Sequence, residues 1–243
     1  MRDFWRSLLA AFLAALLTLT GGGLALYFGG FWPSSPSCGD PKPPPKPAPK
    51  PDPWNAICKV VMSGGYCSGT IVGPRRPDGR WHVVSAAHCF KRIGETVQIL
   101  TRNGHTLQGT VSAINRQADC AIVIADRYDD LPFALVAEAV PPLQTPVWHG
   151  GYGFDKPGNK EPGVLIAGED ANGQLRYRLS VSNGDSGGGI FTDAEGKLLS
   201  PVCCTTRIAG IGDVWGASPT VIRRMLADPT DFLDVKPVEM PVR

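Results

Sequence analysis

Beyond Trp54 the apolar residues of this chain come in short runs, each closed by glycine, proline or a polar turn, and that pattern leaves little room for anything but β-structure. WHVVSA, TVQIL, LQGTVSAI, DCAIVIA, TPVWHGGY, GVLIAG, LRYRLSV, GGIFTD and LLSPVCC are five to eight residues long. They are rich in β-branched residues or alternate in polarity, as strands of an all-β domain do. TDAEGKLL reads as a hairpin turning at Gly196. Only SPTVIRRML has helical character, with Ser218 as N-cap, Pro219 at the first helical position and Val221, Ile222, Met225 and Leu226 on one face. With 243 residues, 43% of them hydrophobic, the chain is long enough for one sizeable domain built around two small cores. No repeat of solenoid period appears.

The N-terminal part is of another kind. Ser7–Trp32 is a run of 26 residues without a charge, long enough to span a bilayer of about 30 Å as a helix. Arg2 and Arg6 precede it, which favours a cytoplasmic N-terminus and an exported remainder, although Asp3 weakens that bias. The run reads as a signal-anchor or as a long signal peptide cleaved near GGGLA. The first outcome leaves the domain anchored on the outer side of the membrane, and the second secretes it. From Pro33 to Pro53, ten of 21 residues are proline. Proline fixes its own φ and holds its predecessor extended, so the tract is a polyproline II stalk of about 3 Å per residue. The expected organisation is therefore 1–32 as membrane segment, 33–53 as linker and 54–243 as folded domain. The net charge of +2 is near balance, and no basic cluster outside the linker suggests a nucleic-acid partner. His82, His105 and His149 show no metal-ligand spacing, and no cofactor motif is present.

Three separated segments carry the residue types of an acyl-transfer site. A serine hydroxyl is a weak nucleophile at neutral pH and needs an imidazole to take its proton. The imidazole in turn needs a carboxylate to fix its tautomer and stabilise its charged form. VVSAAHCF offers His88, QADCAIVIA offers Asp119 and NGDSGGG offers Ser186. Together with CSGTIV, these segments resemble the chymotrypsin-like (trypsin-fold) serine peptidases over about Ile57–Leu226, in that family's chain order of His, Asp, Ser. The spacings, 31 residues and then 67, suit a compact bacterial or viral member.

The resemblance implies two packed six-stranded antiparallel β-barrels followed by a short C-terminal helix, with the site in the cleft between the barrels. It makes Ser186 the nucleophile, His88 the general base and then acid, Asp119 the orienting carboxylate, and the backbone N–H groups of Gly184 and Ser186 the oxyanion donors. It places Ser180 at the base of the substrate pocket, where an uncharged residue disfavours Arg or Lys before the cleaved bond. Cys203 falls where a serine usually holds the triad carboxylate, and Cys204 and Thr205 fall on the pocket wall. Cys67 and Cys89 occupy the positions of a disulfide beside the histidine; Cys38, Cys58, Cys120, Cys203 and Cys204 form an odd remainder. No IVGG-like start stands at a suitable distance before Cys67, so Asp185 is expected to find a partner other than a liberated N-terminus. The function expected is a serine endopeptidase acting on protein or peptide substrates outside the cytoplasm, with no cofactor, metal or nucleic acid; its oligomeric state is left open. A catalytically silent module on the same fold and stalk is the alternative.

Overall fold

The computed structural model describes residues 50–207 and 210–232. The expected membrane segment and most of the proline tract lie outside them. Among the described residues no helix is long and apolar enough to cross a membrane.

Six strands form a closed antiparallel barrel: β1 (Ile57–Met62), β2 (Gly65–Val72), β3 (Trp81–Ser85), β4 (Thr96–Thr101), β5 (Thr106–Asn115) and β6 (Cys120–Ala125), in the order β1-β2-β3-β6-β5-β4. Alternation dictates the inner face. In β5, Leu107 and Val111 are buried while Thr106, Gln108 and Thr110 are exposed. A register shift between Val111 and Ala113 then turns both Ala113 and Ile114 inward. Val60, Ile71, Val83, Ile99, Val111 and Val123 are buried in this core, and β1 pairing with β4 closes the ring.

The second half departs from expectation. Seven strands, β7 (Pro146–Gly150), β8 (Glu161–Ala167), β9 (Gln174–Val181), β10 (Gly189–Thr192), β11 (Leu198–Pro201), β12 (Cys204–Thr205) and β13 (Gly210–Ala217), form an open half-barrel in the order β11-β10-β7-β8-β9-β13-β12. The expected second six-stranded barrel is thus corrected. Its edges, β11 and β12, are consecutive in the chain. Pro201 ends β11 with no N–H to donate, and β12 has only two residues, both spent on pairing with β13. Val202 N donates to Gly188 O at 2.8 Å and Cys203 N to Trp215 O at 2.8 Å, so neighbouring residues tie the chain to opposite ends of the open sheet.

The one α-helix among the described residues, α1 (Pro219–Ala227), forms where its sequence signals place it. The Ser218 hydroxyl accepts from Val221 N at 3.2 Å, and Ile222 and Met225 are buried in the cluster that includes the first barrel. Burying two such side chains stabilises by about 1.5–3 kcal/mol each.

Candidate active site

Strand pairing brings the first two residues of the site together. β3 and β6 are antiparallel neighbours, with Ser85 opposite Ala121. The chain leaving β3 therefore emerges beside the chain entering β6. Just past β3, a short 3-10 turn at Ala87–Cys89 carries His88; just before β6 stands Asp119. His88 Nδ1 donates to Asp119 Oδ2 at 2.6 Å, and His88 N donates to Asp119 Oδ1 at 2.7 Å. Both carboxylate oxygens are engaged, which fixes the orientation of the ring and leaves Nε2 as the free base. Asp119 adopts φ of 53°, a left-handed conformation uncommon for a non-glycine residue, and the kind of local strain found at functional sites.

The electrostatics follow from this geometry. The Asp119 hydrogen bond raises the His88 pKa above its ordinary value against the opposing effect of burial, and the Asp119 and Cys204 charges add to the rise. Burial pushes the Asp119 carboxyl up, yet hydrogen bonds from His88 and the Cys203 thiol, with the His88 charge, hold it below the usual carboxylate value. The pair is thus poised to carry an imidazolium beside a carboxylate.

Ser186 lies in the turn between β9 and β10. With His88 it lines a cleft of about 300 Å³, bordered by Met62, Tyr66, Cys67, Cys89, Lys91 and Gly184. The first barrel grips this turn through one residue of β2. Ser68 N donates to Ser186 O at 2.7 Å, while Ser68 Oγ donates to Gly184 O and accepts from Tyr152 N. Ser85 Oγ in turn donates to Ser68 O at 2.7 Å. Ser68 carries no catalytic signal in the sequence, and only its place inside CSGTIV marks it.

Peptide planarity sets the direction of the two N–H groups expected to be oxyanion donors. Asn183 O accepts from Phe154 N at 2.8 Å, and Asp185 O accepts from Gly188 N at 2.7 Å. In a trans peptide the N–H points opposite the carbonyl, so the N–H groups of Gly184 and Ser186 face away from those inner partners. Among the described residues neither donates to a protein acceptor. Gly184 has φ of 97°, and a Cβ there would stand 2.7 Å from Tyr152 O and 2.7 Å from the Tyr66 ring. Only glycine fits this turn.

Asp185, whose partner the sequence left open, is buried. Its Oδ2 accepts from Ser182 N at 2.7 Å and Ser182 Oγ at 2.9 Å, and its Oδ1 lies 4.0 Å from His149 Nε2. Burial pushes the His149 pKa down, against the pull of Asp185, which favours a neutral ring. The carboxylate of the turn is therefore satisfied within the second half of the domain.

The residues expected to shape the substrate pocket are more dispersed. Cys204 is exposed and interacts electrostatically with His88. Ser180 is half-buried in β9 opposite Ile211, and Thr205 Oγ1 exchanges hydrogen bonds with the Arg207 backbone. None of the three lines the cleft shared by His88 and Ser186. Cys67 and Cys89 are thiols in this structure, with Cys67 Sγ 3.4 Å from Ser85 Oγ, so the bridge implied by the resemblance is not shown.

Comparison with known proteins agrees with the geometry. A family described as the trypsin-like peptidase domain matches residues 67–199, more than half of the chain. No curated protein matches it. Among solved structures, one described as the serine endoprotease from Yersinia pestis is similar with a TM-score of 0.60 at 18% identity, over 72% of this chain. The chain spans 62% of that structure's length, and at this identity the likeness bears on the fold.

Proposed function

The chain belongs to the trypsin-like peptidase family, and from that premise we propose that it is a serine endopeptidase working through an acyl-enzyme on Ser186. The Ser186 hydroxyl attacks the scissile carbonyl as His88 Nε2 takes its proton, and Asp119 stabilises the imidazolium that forms. The carbonyl oxygen becomes an oxyanion between the N–H groups of Gly184 and Ser186, His88 returns the proton to the leaving amine, and water releases the acyl group by the same steps in reverse. The observation that carries this reading is the 2.6 Å His88–Asp119 hydrogen bond, made by a histidine that lines one cleft with Ser186. A Cys67–Cys89 disulfide closing the histidine loop, a stalk over 33–53 and an anchor or signal over 1–32 complete the proposal. The uncharged run Ser7–Trp32 supports placing the domain outside the cytoplasm.

An uncharged Ser180 at the pocket base favours small or hydrophobic residues before the cleaved bond. Incubation of the full-length protein with a library of internally quenched peptides tests both levels. Cleavage after small or apolar residues, abolished in Ser186→Ala, is expected; cuts made chiefly after Arg or Lys overturn the specificity, and cleavage undiminished in Ser186→Ala overturns the mechanism.

A further inference from the structure

Two adjacent thiols stand where the triad carboxylate meets the open side of the site. Cys203 is buried, Cys204 is exposed, and their sulfurs lie 3.0 Å apart, with Cys203 donating. The same Cys203 thiol helps hold the Asp119 carboxyl below its usual value, and its sulfur accepts from Gln174 Nε2 at 3.4 Å, the amide that also donates to Ala118 O at 3.1 Å, next to Asp119. A thiol has one proton, so Cys203 can donate to Asp119 or to Cys204 but not to both at once. Cys204 also interacts with His88. Chemistry at this sulfur pair therefore reaches both members of the His88–Asp119 pair without touching Ser186.

We propose that Cys203 and Cys204 form a reversible thiol-modification site for low-molecular-weight disulfides, in which oxidation withdraws the Cys203 donor from Asp119 and slows the enzyme; this rests on the serine-peptidase reading of the same site. The exposed Cys204 is the point of entry. Hydrogen bonding from Cys203 holds its pKa below the ordinary thiol value, with His88 contributing, so it supplies the attacking thiolate. That thiolate attacks one sulfur of a disulfide RSSR, forming Cys204–S–S–R and releasing RS⁻, which is protonated to RSH. Cys203 loses its proton to solvent, its sulfur attacks the Cys204 sulfur, the Cys203–Cys204 bond forms and the second RS⁻ leaves, taking up a proton in turn. Two electrons and two protons pass from the protein to RSSR, which departs as two molecules of RSH.

The ring so formed is a strained one. Consecutive Cα atoms across a trans peptide are about 3.8 Å apart, closer than the roughly 4.4–6.8 Å of ordinary disulfides. Strained and exposed disulfides are readily reduced, which suits a switch rather than a structural staple. Once both sulfurs are bonded, Cys203 has no proton for Asp119. Where that hydrogen bond supports the charged pair in the transition state, its loss corresponds to about a tenfold or greater fall in rate.

The test uses the full-length protein with oxidised glutathione, read by peptide mass and by the rate of Ser186 labelling with a fluorophosphonate. Expected are a peptide containing a Cys203–Cys204 disulfide, a labelling rate at least tenfold below that of the reduced protein, and recovery on adding dithiothreitol. In Cys204→Ser, compared with its own reduced form, oxidised glutathione leaves the rate unchanged even where Cys67 and Cys89 become bridged. Failure of the 203–204 bond to form, or its formation with an unchanged labelling rate, overturns the proposal. An absence of Ser186 labelling in the reduced protein strikes instead at the peptidase reading, so the two failures are distinguishable.

Discussion

Replacing Gly184 by alanine perturbs one backbone N–H at the centre of the proposed site. At φ of 97° an added Cβ stands 2.7 Å from Tyr152 O and 2.7 Å from the Tyr66 ring. The ring has some freedom, but the carbonyl oxygen belongs to a backbone that Ser68 holds through Tyr152 N. Holding a non-glycine residue in this conformation costs about 1–3 kcal/mol. The cheapest relief is rotation of the Asn183–Gly184 peptide, which breaks the Phe154 N–Asn183 O bond and swings the residue 184 N–H out of the cleft. Loss of one oxyanion donor lowers kcat by about 10²–10³-fold. The strain alone lowers Tm by about 2–4 °C for each kcal/mol in a domain of this size. Stopped-flow acylation by an activated ester measures the rate, and thermal unfolding measures the strain. Gly196→Ala is the control: Gly196 has φ of 63° in the hairpin between β10 and β11, so that variant loses stability but acylates at the wild-type rate. Wild-type acylation by a folded Gly184→Ala protein would refute the assignment of this N–H.

Other substitutions test neighbouring parts of the account. Because the Asp119 hydrogen bond raises the His88 pKa, and only neutral His88 accepts the Ser186 proton, the acid limb of kcat/KM is expected above the ordinary histidine value of about 6.5, with activity lost as pH falls through it. Asp119→Asn removes that support: the limb moves down and kcat falls by about 10⁴-fold, measurable in a pH–rate series. Ser182→Ala takes the 2.9 Å hydroxyl donor from buried Asp185, for an expected loss of about 1.5–3 kcal/mol in urea unfolding together with reduced kcat as the turn loosens. Tyr177→Phe leaves the fully buried Ser200 hydroxyl without its 2.6 Å partner and is expected to cost about 1–3 kcal/mol of stability while sparing kcat.

Legibility in the sequence followed the range of the forces involved. The nine strand readings and the α1 cap rest on local signals, alternation in β5 and the Ser218–Pro219 pair, and all nine readings coincide with paired strands. β1, β2 and β13 have no counterpart among those nine readings. GIGDVWGA in β13 looks like loop, and it becomes a strand because eight consecutive residues pair with β9. Closure of a sheet is a long-range property, so the open edge between β11 and β12 was invisible before the register was known. In the site, His88, Asp119 and Ser186 stood in recognisable motifs. Ser68, Ser182 and Gln174 did not, because their roles depend on contacts across 116 residues for Ser68 with Gly184 or 29 for Gln174 with Cys203, and in Ser182 on a turn that folds back on Asp185.

The central claim, that Ser186 is a nucleophile activated by His88 and Asp119, is tested most directly by reacting the full-length protein with a fluorophosphonate and locating the adduct by mass. The account predicts stoichiometric modification of Ser186, abolished in Ser186→Ala and slowed by orders of magnitude in His88→Ala. An unmodified Ser186 in the folded, reduced protein, or an adduct formed at the same rate without His88, would contradict it.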